Sequence, residues 1–87
     1  MKGNKTLTPA ASIEILPENL SRRSIVLTKL DRGGGSVFLA FSQDAVPDEG
    51  LVLGNDFDAI EILAPRAHSA IHGYNTGASD EIVTFQD

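Results

Sequence analysis

Turn-forming residues recur every ~8–12 positions along this chain, and that spacing restricts it to short elements of secondary structure. The first apolar run, Ser12–Leu16, alternates apolar and polar positions as a half-buried strand does, and Pro17 then ends it by removing a backbone donor. No segment of useful length repeats its apolar residues with the roughly 3.6-residue period of a helix. The spacing therefore predicts an all-β fold.

About seven segments are predicted to be strands, because each is a short apolar run next to turn residues. They are Ser12–Leu16, Ser24–Lys29, Ser36–Phe41, Gly50–Leu53, Ala59–Leu63, Ser69–Tyr74 and Glu81–Phe85. This number of strands favours a small antiparallel β-sandwich or barrel, and a jelly roll is one such arrangement. Greek-key and meander connections share these turn signals, so the order of the strands stays open.

Two glycine-containing segments are predicted to be hairpin turns. Asp31–Gly35 ends in three glycines, which adopt positive φ at low cost, so we expect it to pair Ser24–Lys29 with Ser36–Phe41. Asn75–Ser79 is expected to be the turn before the last strand. A phosphate-binding loop would need a helix after the glycines, whereas a strand pattern follows here.

The length and the lack of cysteine limit how this chain is stabilised. A chain of 87 residues makes one small domain, and without cysteine it has neither disulfides nor thiolate metal sites. We expect the β domain to span residues 11–87. Residues 1–10 are mostly polar and aperiodic, so they are predicted to form a flexible arm that either frays or orders against a partner. Small domains of this kind often self-assemble, so a homo-oligomer is expected.

The acidic charge of the chain limits its partners. The net charge is −5 and the cations are scattered, which argues against a surface for nucleic-acid phosphates. No apolar run reaches the ~18–20 residues that span a bilayer, and the basic start Met1–Lys5 is not followed by the apolar segment of a signal peptide. We therefore expect neither nucleic acid nor a membrane as partner, and assembly in the cytoplasm.

Two polar clusters could bind a metal, and each has a simpler explanation. Asn55, Asp56 and Asp58 lack the longer ligand run and the distant Glu of an EF-hand, so an acidic turn is favoured. His68 and His72 would share a metal on a helix, but four residues of strand span ~13 Å. No Gly-x-Ser-x-Gly elbow or cysteine marks a nucleophile. We predict no enzyme activity, no cofactor and no metal.

The only adjacent cations are Arg22 and Arg23. Adjacent side chains diverge on an extended segment, so at most one of the two faces inward. One interpretation is an arginine that ties the link Pro17–Ser21 to the predicted hairpin, and the other is a salt bridge between subunits.

Several segments together resemble a known group of proteins. They are Ile15–Ile25 with its Ile-Leu-Pro-Glu-Asn corner and Arg-Arg strand start, Val37–Phe41, Gly50–Leu53 and Ile82–Phe85. This order is similar to that of small β-rich proteins encoded among the virion genes of tailed bacteriophages. The likeness covers most of residues 11–86. The chain departs from it at Phe85–Asp87, where these proteins often end with an aromatic and an acidic residue.

The resemblance implies a structural role in the virion. We expect a decoration or cement protein on the capsid surface, assembled in the host cytoplasm, which trimerises and holds neighbouring copies of the major capsid protein together. The residues expected to bind partners lie in the arm, in the arginine pair and at the glycine-rich tip; they are Lys2, Lys5, Leu7, Arg22, Arg23, Arg32 and Gly34. A tail, neck or fibre component and a carbohydrate-binding module are the alternatives.

Overall fold

A computed structural model describes residues 2–30, 35–47, 49–54 and 58–87 of the chain. In these ranges it has eight β-strands and one short 3₁₀ helix at Arg66–His68. The strands are β1 (Lys2–Leu7), β2 (Ser12–Leu16), β3 (Ser24–Lys29), β4 (Val37–Phe41), β5 (Leu51–Leu53), β6 (Ala59–Leu63), β7 (Ile71–Asn75) and β8 (Glu81–Gln86). Within the described ranges, no helix has the length and apolar character that crossing a membrane requires.

The strands form two four-stranded antiparallel sheets. Sheet A has the order β1-β8-β3-β6, and sheet B has the order β2-β7-β4-β5. Apart from β4 and β5, each strand lies in the sheet opposite its predecessor in the chain. Two facing antiparallel sheets connected in this way form a jelly roll. The prediction of an all-β antiparallel sandwich is confirmed.

The predicted hairpin between β3 and β4 is wrong. β3 pairs with β6 and β8 in sheet A, whereas β4 pairs with β5 and β7 in sheet B. The turn before β8 likewise joins strands of different sheets. An apolar strand face can be buried equally well by either sheet, so the same sequence pattern suits a hairpin and a crossover between sheets. Most of the predicted Asp31–Gly35 turn lies outside the described residues.

The predicted N-terminal arm differs from the structure, since Lys2–Leu7 forms the edge strand β1. It pairs with β8 from Lys2 opposite Gln86 to Leu7 opposite Glu81. Leu7 is 0% exposed and belongs to the core, while the other five residues of β1 are exposed. An edge strand with one residue in the core carries almost no apolar signal, which explains why its sequence resembles a frayed terminus.

The core lies between the sheets and is formed by alternate residues of the strands. Its fully or almost fully buried members include Leu7, Ile25, Leu27, Val37, Leu39, Leu53, Ile71 and Val83. Gly73 faces inward among them, where a Cβ atom would lie 2.9 Å from Ile15 Cδ1 and 3.0 Å from Leu7 Cδ1. A side chain at this position would therefore displace core residues from both sheets.

Candidate functional site

A buried ion pair lies at one end of the sandwich, which we call the lysine end. Strands β1, β3, β5 and β7 finish there. Lys29 Nζ of β3 lies 3.3 Å from Glu81 Oε1 of β8, and both side chains are 0% exposed. The backbone N–H of Gly35, just before β4, donates to Glu81 Oε2 at 3.0 Å. Glu81 therefore neutralises a buried charge within sheet A and also binds the chain that leads into sheet B.

Asn75 makes a second link between the sheets at the lysine end. Its Nδ2 donates to the carbonyl oxygens of Leu7 at 3.0 Å and of Ser79 at 2.8 Å, and its Oδ1 accepts from Gly77 N–H at 2.8 Å. The backbones of Gly35 and Gly77 meet beside it, so closely that a Cβ atom on Gly35 would lie 2.5 Å from Gly77 Cα. These buried polar groups bind one another, which is the arrangement of a structural cluster.

A buried arginine holds the opposite end, which we call the arginine end. Arg22 is 3% exposed, and its Nε donates to Ala67 O at 2.6 Å. Its Nη2 donates to the carbonyl oxygens of Pro17 and Ser69, each at 3.1 Å. An arginine does tie the link after β2, but its far partner is the segment around the 3₁₀ helix rather than the strands of the predicted hairpin. All three acceptors are backbone carbonyls.

An open cavity of about 590 Å³ lies at the arginine end, beside the connection from β4 to β5. Its walls combine apolar and charged side chains; they include Phe41, Asp44, Val46, Glu49 and Arg66. The Arg66 guanidinium carbon lies 5.2 Å from the centroid of the Phe41 ring, which is within the range of a cation–π contact. The mixture of charges does not select one class of ligand.

The outer face of sheet B carries two aromatic side chains and a valine in one row, which we call the aromatic row. Tyr74, Phe38 and Val52 lie side by side on β7, β4 and β5. Ser12 of β2 is opposite Tyr74 and ends the row, and its Oγ accepts from the N–H of Ala45, in the β4–β5 connection, at 2.9 Å. Both aromatic residues are half-buried although they face away from the core, and Val52 is 49% exposed. An antiparallel sheet with one face in water usually carries polar residues on that face. The aromatic row is therefore a candidate surface for binding another molecule.

A polar pair flanks the aromatic row on the same face. Glu14 and His72 are opposite each other on β2 and β7, with Ala40 of β4 beside them. His72 Nε2 lies 4.0 Å from Glu14 Oε2, a distance at which the two charges attract only when the imidazole is protonated. The outer face of sheet A differs, because the corresponding central row is Asn4, Thr84, Thr28 and Ala59.

The sequence pattern contained a signal for the aromatic row. Phe38 alternates with Val37 and Leu39, which are buried, and Tyr74 alternates with the buried Gly73 and Asn75. The strand alternation thus places both rings on one outer face once the two strands are neighbours. Sequence reasoning missed the row because it did not pair β4 with β7.

The residues that the sequence predicted as partner contacts differ in their exposure in the structure. Lys2 and Lys5 on β1 and Arg23 before β3 are exposed, whereas Leu7 is in the core and Arg22 binds within the chain. The other two predicted contacts, Arg32 and Gly34, lie outside the described residues.

The two histidines that the sequence analysis considered as metal ligands belong to different elements. His68 belongs to the 3₁₀ helix and His72 to β7. Asp58 Oδ2 accepts from Gly54 N–H at 3.1 Å, as a carboxylate in a turn does, while Asn55 and Asp56 are outside the described residues. Across the described part of the chain, no three His, Cys, Asp or Glu side chains come together in a way that could hold a metal ion.

These features define a jelly-roll sandwich with polar clusters at its ends and an apolar row on one face, and comparison with solved structures agrees with the fold. A de novo designed double-stranded β-helix, solved by NMR, is similar with a TM-score of 0.66 and 9% identity, over 99% of this chain and 96% of that one. The crystal structure of PirA is similar with a TM-score of 0.63 and 16% identity, over 97% of this chain and 90% of PirA. No protein-family model and no curated protein sequence matches the chain.

Proposed function

We propose that this chain is a structural protein of a tailed-bacteriophage virion, a capsid decoration protein that forms trimers and binds the major capsid protein on the outside of the head. The aromatic row of sheet B is the observation that carries the proposal. It is an apolar surface on an otherwise polar face, which is a common property of protein-binding sites. The resemblance to small virion proteins supports the choice of a viral shell as the partner.

The two polar clusters support a binding role because they stiffen the body that presents the aromatic row. Asn75 adjoins Tyr74 on β7, and its side chain fixes the end of that strand to β1 of the other sheet. At the opposite end, Arg22 fixes the segment that leads into β7 through Ser69. A surface held at both ends loses little conformational entropy when it binds, and this favours a tight contact.

Three of the predicted contact residues fit the proposal. Lys2, Lys5 and Arg23 are exposed and could bind acidic groups on a neighbouring protein. The contribution of β1 cannot be tested by deleting residues 1–8, because Leu7 is part of the core and the deletion would remove a strand of sheet A. Single substitutions on exposed positions test the contacts without this loss.

The matched pair Val52→Glu and Val26→Glu tests the aromatic row. Val52 lies in the row and Val26 lies on the outer face of sheet A, and they are 49% and 36% exposed. Particles that lack the protein are incubated with each purified variant, washed, and assayed for retained protein. We expect Val52→Glu to weaken binding by about tenfold or more, because it places a charge in an apolar contact, and Val26→Glu to bind like the parent chain. Equal retention of both variants would remove the aromatic row from the contact.

A carbohydrate-binding module is the second candidate, and the pairing of Tyr74 with Phe38 on an outer face favours it. Aromatic side chains at such a position could stack on sugar rings, and the neighbouring Glu14 and His72 could accept and donate hydrogen bonds. A glycan array distinguishes the two candidates. Binding to a defined glycan that is lost in Tyr74→Thr would favour the carbohydrate module, whereas the decoration role predicts no glycan binding above background.

A further inference from the structure

The two sheets differ in how their edges are finished. The edges of sheet B are unsuited to further pairing, because β5 has only three residues and β2 has a register shift between Glu14 and Leu16. Short strands and bulges are the usual ways in which a sheet avoids adding another strand. Sheet A ends in β1 with six residues and β6 with five, and neither contains proline or a register shift.

The hydrogen-bond pattern shows which residues of β6 direct their backbone groups away from the sheet. Lys29 N–H donates to Asp58 O, and Ala64 N–H donates to Arg23 O, at the two ends of the β3–β6 pair. Antiparallel bonding alternates along a strand, so Ile60 and Ile62 bond to β3. The N–H and C=O groups of Ala59, Glu61 and Leu63 therefore point outward from the edge; Glu61 and Leu63 also have exposed side chains.

At the other edge, the backbone groups of β1 alternate in the same way. Leu30 N–H donates to Ile82 O, so the backbone groups of the even-numbered residues of β8 form hydrogen bonds with β3. Those of the odd-numbered residues of β8 therefore form hydrogen bonds with β1. Since Gly3, Lys5 and Leu7 are opposite odd-numbered residues of β8, they bond to that strand. The backbone groups of Lys2, Asn4 and Thr6 consequently point outward from the edge.

We propose that β1 of one copy of this chain pairs with β6 of a second copy and extends sheet A from molecule to molecule. In the proposed register Asn4 is opposite Glu61, Lys2 is opposite Leu63, and Thr6 is opposite Ala59. These two strands run in opposite directions within sheet A, so a second copy whose strands run in the same directions as those of the first, with or without a rotation about the strand axis, offers an antiparallel partner. Both sets of residues also face the outer side of sheet A, so the pairing keeps the inner and outer faces continuous.

Charge selects this pairing over the two alternatives. Exposed lysines at positions 2 and 5 make the β1 edge basic, whereas the exposed Glu61 makes the β6 edge acidic. Pairing β1 with β1 would bring lysines together, and pairing β6 with β6 would bring Glu61 close to its own copy; both contacts repel. In the proposed register Lys2 is diagonal to Glu61, within reach of a long side chain. The favoured contact thus uses two different surfaces of the same molecule.

A contact between two different surfaces closes into a ring or continues as a filament, depending on the rotation between copies. The trimer of the proposed function is a ring that needs such a pair of surfaces, so the inference deepens that function by naming its subunit contact. The test uses the isolated chain. If the isolated chain does not assemble through β1 and β6, this subunit contact is wrong. Binding to the capsid is tested separately, by the experiment on Val52→Glu.

Two proline variants test the edge of β1 by sedimentation velocity. The parent chain is expected to form oligomers whose population rises with concentration. Asn4→Pro removes an N–H that points outward, so it should sediment as a folded monomer with an unchanged circular dichroism spectrum. Lys5→Pro removes an N–H that bonds to β8, so it should lower the unfolding midpoint.

A parent chain that remains monomeric up to about 100 μM, a concentration that captures weak contacts, would overturn the proposal. Oligomers that persist in Asn4→Pro would also overturn it.

Cysteine exchange tests the register even if a proline variant does not fold. The parent chain has no cysteine, so Asn4→Cys and Glu61→Cys each carry a single thiol. The two variants are mixed under mild oxidation, and the disulfides are identified by mass spectrometry of tryptic peptides. We expect the mixed disulfide well above the half that random pairing gives, because opposite residues in a sheet have the Cα separation that a disulfide requires. Random pairing, or the same yield with Val52→Cys in place of Glu61→Cys, would contradict the proposed contact.

Discussion

Each end of the sandwich buries a cation, but the two cations bind different kinds of acceptor. At the lysine end Lys29 lies against the carboxylate of Glu81, which also accepts a bond from the chain entering sheet B. At the arginine end Arg22 donates to three backbone carbonyls and ties connecting segments to one another. An ammonium is a compact point charge, whereas a guanidinium spreads its charge over donors that point in several directions. The lysine end thus depends on a counter-charge and the arginine end on geometry.

The largest expected effect comes from removing the counter-charge at the lysine end. Lys29→Met leaves Glu81 as a buried carboxylate without its cation, which should lower the free energy of unfolding by about 3–5 kcal/mol. Urea denaturation followed by circular dichroism measures the loss. The double variant Lys29→Met/Glu81→Leu replaces the ion pair with apolar side chains and should regain more than half of it. A double variant as unstable as the single one would show that the charge is not what the lysine end requires.

At the arginine end, losing the hydrogen bonds of the guanidinium should lower the free energy of unfolding even when the positive charge is kept. Arg22→Lys retains a cation but cannot reach the carbonyls of Pro17, Ala67 and Ser69 together, so we expect a loss of about 2–3 kcal/mol in the same assay. Arg23→Lys is the control, because this neighbouring side chain is exposed and should change stability by less than about 0.5 kcal/mol. If Arg22→Lys matched its control, a buried charge alone would account for the arginine end.

A smaller effect is expected from the close approach of two backbones at the lysine end. Gly35→Ala places a methyl group against Gly77, so the loops must separate, at a cost of about 1–3 kcal/mol. Gly54→Ala is the matched control, since the nearest atom to its added Cβ would be Ser36 Oγ at 4.0 Å. Thermal unfolding compares the two variants. Similar midpoints would mean that the Gly35 loop adjusts freely and that the lysine end is less rigid than its hydrogen bonds indicate.

The sequence was sufficient to locate seven of the eight strands in the described residues, all except β1, but not to pair them. The predicted bounds of Ser12–Leu16, Ser24–Lys29 and Ala59–Leu63 are those of β2, β3 and β6, because alternation and turn residues act locally. Pairing is decided by which faces bury each other across the sandwich, and the strands on either side of the glycine run separate into different sheets for that reason.

The polar clusters were predictable only as far as local strand alternation reaches. Lys29 follows Ile25 and Leu27 at alternate positions of β3, so its inward direction was present in the sequence, but nothing in the sequence joined it to the distant Glu81. The sequence left two interpretations open for the pair Arg22 and Arg23, a tie within the chain and a contact with a partner, and it did not say which arginine is which. Arg22 is the tie, and its acceptors were missed because a backbone carbonyl carries no sequence signal. The aromatic row needed β4 beside β7, which local patterns do not specify.

Electron cryo-microscopy of particles made from the genome that encodes this chain tests the proposed role most directly. The account predicts jelly-roll density on the outside of the head, in groups of three, with the aromatic row of sheet B against the major capsid protein. Density only at the tail or neck, or a decoration site that contacts the shell through the outer face of sheet A, would contradict it.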